Sequence, residues 1–183
     1  MAIIESAEKK LQEARTFLND MRDWEQRAFG GRQGFDHSLS AFLSAAMSVR
    51  GAFHVEDDRP LNEAVKKWKK TWEAQLKPAQ KCIYDFMRED RRREIHTHGG
   101  SRRGVESKEI KVGVGGSYSD KSGTLTVMGS PSALLGTDTG ATVSMPQYFF
   151  DICGVKRRAT EVCAEYLNLL EKMLATYRAN PLD

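Results

Sequence analysis

No run of apolar residues in this chain approaches the roughly 18 that a membrane-spanning helix requires. Cysteine is scarce as well: Cys82, Cys153 and Cys163 are an odd count with no Cys-x-x-Cys spacing. That argues against a disulfide framework and against a zinc site. The opening stretch MAIIESAEKKL lacks a long apolar core and a small-residue cleavage site. No signal peptide is therefore expected, and a cytoplasmic protein is. Nor does charge of one sign dominate. Lys and Arg total 28 against 25 Asp and Glu, for a net charge of +3, so any nucleic-acid reading must rest on local patches. Internal repeats and low-complexity tails are absent. What remains is 183 residues, 40% of them hydrophobic, enough for one domain over 1–183 with a real core.

Helical periodicity fills the first half. A helix is predicted over 3–28, where Ile4, Ala7, Leu11, Ala14, Leu18 and Met21 recur in steps of three and four. A second is expected over about 37–55, with Asp36 as its N-cap and Leu39, Phe42, Leu43, Ala46, Met47 and Phe53 as its stripe. Its many Ser and Ala residues allow close approach to neighbours. The third covers about 61–76. Leu61, Val65, Trp68, Trp72 and Leu76 read as a core face, and Lys66, Lys67, Lys69 and Lys70 as its solvated back. Pro78 marks a break or a kink, and a fourth helix follows over about 79–97.

From 99 to 143 the period changes. EIKVGV (109–114) and TLTVM (124–128) alternate with period two around GGSYSDKSG, which predicts a β-hairpin, and 140–143 offers a short third strand. Ser101 to Ser107 and Ser130 to Thr139 read as mobile. A long last helix is expected over about 146–178, opened by a capping box of Ser144 and Gln147 with Pro146 in its first turn. The fold class is mainly α: a bundle of four to five helices with a small β-hairpin insertion, at about 105–143, before the last helix.

The densest chemistry lies in IYDFMREDRRREIHTHGG, residues 83–100. Ile83, Phe86 and Met87 begin it as an amphipathic helix. Arg88, Arg91, Arg92 and Arg93 follow, then His96 and His98, then a glycine pair. Cations in a last helical turn complement the helix dipole, and Glu89, Asp90 and Glu94 offer surface ion pairs. Those effects account for one or two of the cations, not for four arginines and two histidines in eleven residues. His96 and His98 also raise a metal site, but no third ligand is evident nearby.

Arg91 and His96 make R-x-x-x-x-H late in an inner, arginine-rich helix. In this the chain resembles the HEPN family (higher eukaryotes and prokaryotes nucleotide-binding domain) over roughly 3–98 and 146–178. The hairpin lies outside the resemblance. The resemblance implies a compact helical bundle that pairs as a homodimer, with two motifs facing one cleft. It implies a metal-independent endoribonuclease that uses no cofactor, of a kind often found as toxins or antiviral defence effectors. RNA would be the partner, with room for an antitoxin or regulatory protein. Arg91 and His96 would be catalytic, and Arg92, Arg93 and His98 would bind substrate. Other registers compete: Arg92 and Arg93 each reach His98 at an allowed spacing, and Arg32 to His37 is a second match, read as a loop. The chain departs from the family in carrying Arg92 after the motif arginine, where Asn, Asp or His is common. It also has His98 where some members have a tyrosine. The first departure favours the alternative of a non-catalytic HEPN-type module binding nucleotide, RNA or a partner protein.

The chemistry is legible without the family. Attack by a 2′-hydroxyl needs a base, an acid for the leaving oxygen, and a stabiliser for the phosphorane. Histidine titrates near neutrality and does either proton transfer. Arginine presents planar donors to phosphate oxygens. On a straight helix, positions 91 and 96 point about 140° apart. Three arrangements could unite them: a distorted helix, a reach round by Arg91, or a second chain.

Overall fold

The computed structural model describes residues 2–27, 31–53, 58–96, 103–112, 117–120, 123–126 and 141–179. Among these the chain forms five helices and five strands: α1 (Ala2–Glu25), α2 (Gly31–Gly51), α3 (Arg59–Ala74), α4 (Pro78–His96), β1 (Arg103–Val112), β2 (Ser117–Asp120), β3 (Gly123–Thr126), β4 (Ala141–Ile152), β5 (Val155–Arg158) and α5 (Ala159–Ala179). The fold is mainly helical, with its strands inserted before the last helix.

The apolar stripes do what their spacing requires. Ala7, Leu11, Ala14, Leu18 and Met21 of α1 are buried, and Leu39, Phe42, Leu43 and Ala46 of α2 pack beside them. α1 and α2 pack closely against each other. Near the connection, a Cβ placed on Gly34 would overlap the indole of Trp24. Gly34→Ala is therefore expected to destabilise the fold by about 1–3 kcal/mol, the usual range for overpacking. Chemical denaturation measures it, and an unchanged midpoint would mean that Trp24 moves aside freely.

α2 begins six residues earlier than expected. Asp36 is not its N-cap but lies inside it, and pairs with Arg32 one turn back at 3.9 Å. The reason is Phe35, fully buried and stacked on Tyr148 with centroids 3.7 Å apart, which extends the apolar stripe backwards. The Arg32 to His37 match is thus helical, with His37 exposed. Pro78 is a break: α3 ends at Ala74 and Pro78 opens α4, with the Lys77 N–H donating to Gln80 Oε1 at 3.0 Å. α3 itself is capped by Asp58, whose carboxylate accepts from Leu61 N at 2.9 Å. It docks through large aromatics. Trp68 meets Phe53 at 5.7 Å and Tyr177 at 5.1 Å, and Trp72 meets Tyr84 at 5.7 Å.

The β segment is larger than the sequence reading allowed. Val112 pairs with Ala141 and Arg103 with Phe150, so β1 runs antiparallel to β4 rather than to the 124–128 stretch. Arg103 to Ser107, read as mobile, are part of that ladder; 130–139 lie outside the described residues. A separate hairpin joins β2 and β3, and β5 adds to the other edge of β4. The expected helix start at 146 is corrected accordingly. Ser144, Pro146 and Gln147 are strand residues, and α5 begins at Ala159. Period two wins there because Tyr148, Phe150 and Ile152 are all buried while Asp151 is exposed. Cys153 and Gly154 then take positive φ values of 51° and 77°, which suits a two-residue hairpin turn. Pro146 is tolerated because β5 pairs only with Phe149–Ile152, leaving β4 one neighbour at that position.

The cysteines require a second correction. Cys82 of α4 and Cys153 of the β4–β5 turn form a disulfide, their Cα atoms 6.6 Å apart. Cys163 lies buried in α5. The expected helix over 146–178 would have held Cys153; the turn instead brings it to α4, beside the contact of Phe86 with Phe150, centroids 5.1 Å apart. No helix among the described residues is long and apolar enough to cross a membrane.

Candidate functional site

α4 carries the arginine cluster, and its apolar residues fix how it is turned. Ile83, Tyr84 and Met87 are buried between α2 and α5. Asp90, three residues past Met87, is buried too, at 5% exposure. Arg88 and Glu89 consequently face outward, and Arg91 stands half-buried at the edge of the packed face. Its guanidinium donates to Ser44 Oγ on α2 at 3.2 Å. Ser44 is one of the small residues that let α4 approach α2 closely.

α4 continues as unbroken α-helix through Arg92, Arg93 and Glu94 to His96. A distorted helix is therefore not what unites the motif. At about 100° and 1.5 Å per residue, positions 91 and 96 stand about 140° apart round the axis and about 7.5 Å along it. Arg92, Arg93 and His96 are placed by their backbone on the last turns of α4, and His98 lies outside the described residues.

One turn before Arg91, a charged group that the sequence reading missed joins three helices. Glu73 of α3 is its centre. It accepts from Arg50 of α2 at 2.7 Å and from the Tyr84 hydroxyl at 3.0 Å, both on Oε1. Arg88 of α4 stands 3.8 Å from its other oxygen. Lys69, one helical turn before Glu73, donates to the Arg50 carbonyl at 2.6 Å and lies 5.1 Å from the Phe53 ring centre. These residues border an open cavity of about 470 Å³. Lys66, Lys69 and Lys70 at i, i+3 and i+4 do form a basic stripe legible in the sequence, but its partners Arg50 and Arg88 lie on other helices.

Burial, and then the charge of Arg50, lower Lys69 from 10.5 to about 8, with Glu73 opposing. Burial also pushes the Tyr84 phenol well above its ordinary range, against the pull of Arg50 and with Glu73 adding to the rise. Tyr166 is pushed up to about 12, mainly by burial. The lysine has a consequence for stability. Between pH 8 and 10.5 the unfolded chain holds a proton on Lys69 that the folded chain has released, so stability rises with pH across that window. Below pH 8 the penalty is fully present. Measured by urea denaturation, wild type should gain on Lys69→Met as pH rises through this window. A constant difference would mean that Lys69 is solvated like any surface lysine. Tyr84 and Tyr166 act oppositely from about pH 10, where the unfolded phenols ionise first.

No family model matches this chain. No curated protein and no solved structure matches it either. The site must be read from its own geometry.

A buried anchor lies at the other end of the bundle. Glu25 accepts from Arg158 and from the Thr160 hydroxyl, each at 3.0 Å, and so ties α1 to the start of α5.

Proposed function

We propose that this protein is a metal-independent endoribonuclease of HEPN type, with His96 as general acid/base and Arg91 stabilising the phosphate. The observation that supports this best is the seating of α4. Arg91 is fixed against Ser44 of α2 at 3.2 Å, and the helix then runs unbroken into Arg92, Arg93 and His96. An R-x-x-x-x-H motif late in an inner helix is what the HEPN resemblance calls for. With Arg91 turned toward α2, completion by a second chain becomes the favoured way to bring an arginine to a histidine. The working form in this reading is a cytoplasmic homodimer whose two motifs share one RNA cleft, a toxin or defence effector held in check by an antitoxin.

The angular separation of positions 91 and 96 favours a second reading. A non-catalytic module that binds RNA, nucleotide or a partner protein would need Arg91 to Arg93 but no alignment with His96. One experiment separates the two. A mixed RNA is incubated in EDTA with wild type, His96→Ala and Arg91→Ala. Cleavage by wild type alone supports the ribonuclease. RNA binding that needs Arg91 to Arg93, without cleavage, supports the module. Absence of both cleavage and binding returns the arginine cluster to a charged helix end.

A further inference from the structure

The cavity between α2, α3 and α4 holds more positive charge than its own carboxylates offset. Arg50, Lys66, Lys69, Lys70 and Arg88 line it, against Glu63 and Glu73, a surplus of three cations. The carboxylates are already engaged. Glu73 takes Arg50 and the Tyr84 hydroxyl, with Arg88 beside it, and Glu63 lies 3.5 Å from Lys66. Lys70 has no ion-pair partner among the described residues. The Arg50 Nε is buried without a hydrogen-bond partner among them, although guanidinium donors are rarely left so. Two of these cations, Arg50 and Lys69, are half-buried side by side, where the Arg50 charge disfavours that of Lys69. A folded protein holds such a group more readily when an anion completes it.

We propose that this cavity binds a small anion with two or three linked phosphoryl groups, held by Arg50, Lys66, Lys69, Lys70 and Arg88. Its volume of about 470 Å³ falls within the range of small-molecule sites, about 300–1,000 Å³. The three surplus cations offset most of the charge of a di- or triphosphate chain, whose terminal phosphoryl group carries about 1.5–2 negative charges at pH 7. Arg50 and Arg88 supply planar donors suited to phosphate oxygens, and the lysines supply point charges at the mouth. Phe53 and Val65 give one apolar wall. That wall leaves open whether the ligand is a free polyphosphate or a nucleoside triphosphate; the shared chemistry is the phosphate chain. This site is separate from Arg91 and His96 and does not depend on RNA cleavage there.

Binding should couple to protonation. The facing charges are Arg50 from α2, Glu63, Lys66, Lys70 and Glu73 from α3, and Arg88 from α4. A phosphate chain outweighs the two carboxylates and draws the Lys69 proton back. Affinity therefore falls as pH rises past about 8, the value Lys69 has in the empty cavity.

The test is calorimetric titration of the whole protein with inorganic tripolyphosphate, with ATP, and with a short single-stranded RNA. Tripolyphosphate should bind at pH 7. The exposed double variant Lys66→Gln/Lys70→Gln should weaken it at least about tenfold, one charge-assisted hydrogen bond's worth. Lys69→Arg should keep binding but lose the fall above pH 8, which a merely structural lysine would not do. Equal affinities for tripolyphosphate and ATP assign the site to the phosphate chain alone; much tighter ATP binding assigns it to a nucleotide. His96→Ala should bind tripolyphosphate like wild type, whatever it does to RNA. Absence of tripolyphosphate and ATP binding overturns the proposal. So does tripolyphosphate binding that Lys66→Gln/Lys70→Gln leaves unchanged, or a cavity that takes only the RNA.

Discussion

His96→Ala is expected to lower RNA cleavage by about 10²–10⁴-fold, the usual contribution of one positioned acid/base group. The substitution lies at the end of α4, two turns beyond the buried Met87, so folding should be untouched and circular dichroism should show it. Arg91→Ala should act at a different point. In the proposed reaction it would hold a phosphate oxygen, and loss of a charge-assisted bond of about 1.5–3 kcal/mol would reduce the rate by about 10- to 150-fold. Because Arg91 also bonds Ser44 at 3.2 Å, Ser44→Ala is the informative control. It frees the guanidinium without removing it, and should alter cleavage far less than Arg91→Ala. If both histidine and arginine variants cleave like wild type, the nuclease is a contaminant or the site is elsewhere. The proposed dimer would supply a further check: mixing the impaired Arg91→Ala and His96→Ala variants should restore part of the activity if each site takes its residues from two chains.

Breaking the Cys82–Cys153 bond is expected to cost about 2–4 kcal/mol. It joins residues 71 apart in sequence. In the chain-entropy account, closing a loop of that length restricts the unfolded state by about 4 kcal/mol, with native strain and residual structure lowering the realised value. For a chain of this size that is a fall in Tm of about 5–15 °C. Dithiothreitol, Cys82→Ser and Cys153→Ser should give the same fall, and combining them should add nothing, because each removes the same crosslink. The reduced protein should still fold. Phe86 still meets Phe150, and Tyr148, Phe150 and Ile152 remain in the core. Identical melting with and without reductant would mean that the two thiols are not joined in solution. The bond also bears on compartment, since a reducing cytoplasm keeps most such pairs as thiols. A cytoplasmic protein would then work mostly in the reduced form.

Local patterns were readable where one period dominated. The stripes of α1 and α4 have a single reading, and their residues are buried or, at Ile4 and Phe86, partly buried against the core. Tyr148 to Ile152 did not have one. The run is apolar at both strand and helix spacings, and a proline after a serine imitated a helix start. The deciding partner was β1, some forty residues upstream in the ladder, and pairing over that distance leaves no local mark. Phe35 was misassigned for the same reason, since its partner Tyr148 is far along the chain. The cysteine pairing depended on the turn at Cys153–Gly154, which was hidden once 146–158 had been read as helix. In the candidate site, Arg91 was legible as a motif residue, but its Ser44 partner was not. The three lysines of the cavity looked like a solvated helix back because Arg50 and Arg88 come to them from two other helices.

The register of β1 on β4 has one more consequence. Arg103 sits opposite Phe150, and Val112 opposite Ala141. At about 3.4 Å per residue the ladder reaches about 30 Å from base to tip, yet its two ends lie one strand spacing apart. The chain thus leaves the helical body and returns to it at nearly the same place. The ladder beyond the Val105–Tyr148 pair is a side branch, and a short turn joining those two residues would keep Tyr148 stacked on Phe35 in the core. Cys153 lies below that graft point, so the covalent tie to α4 would survive the pruning.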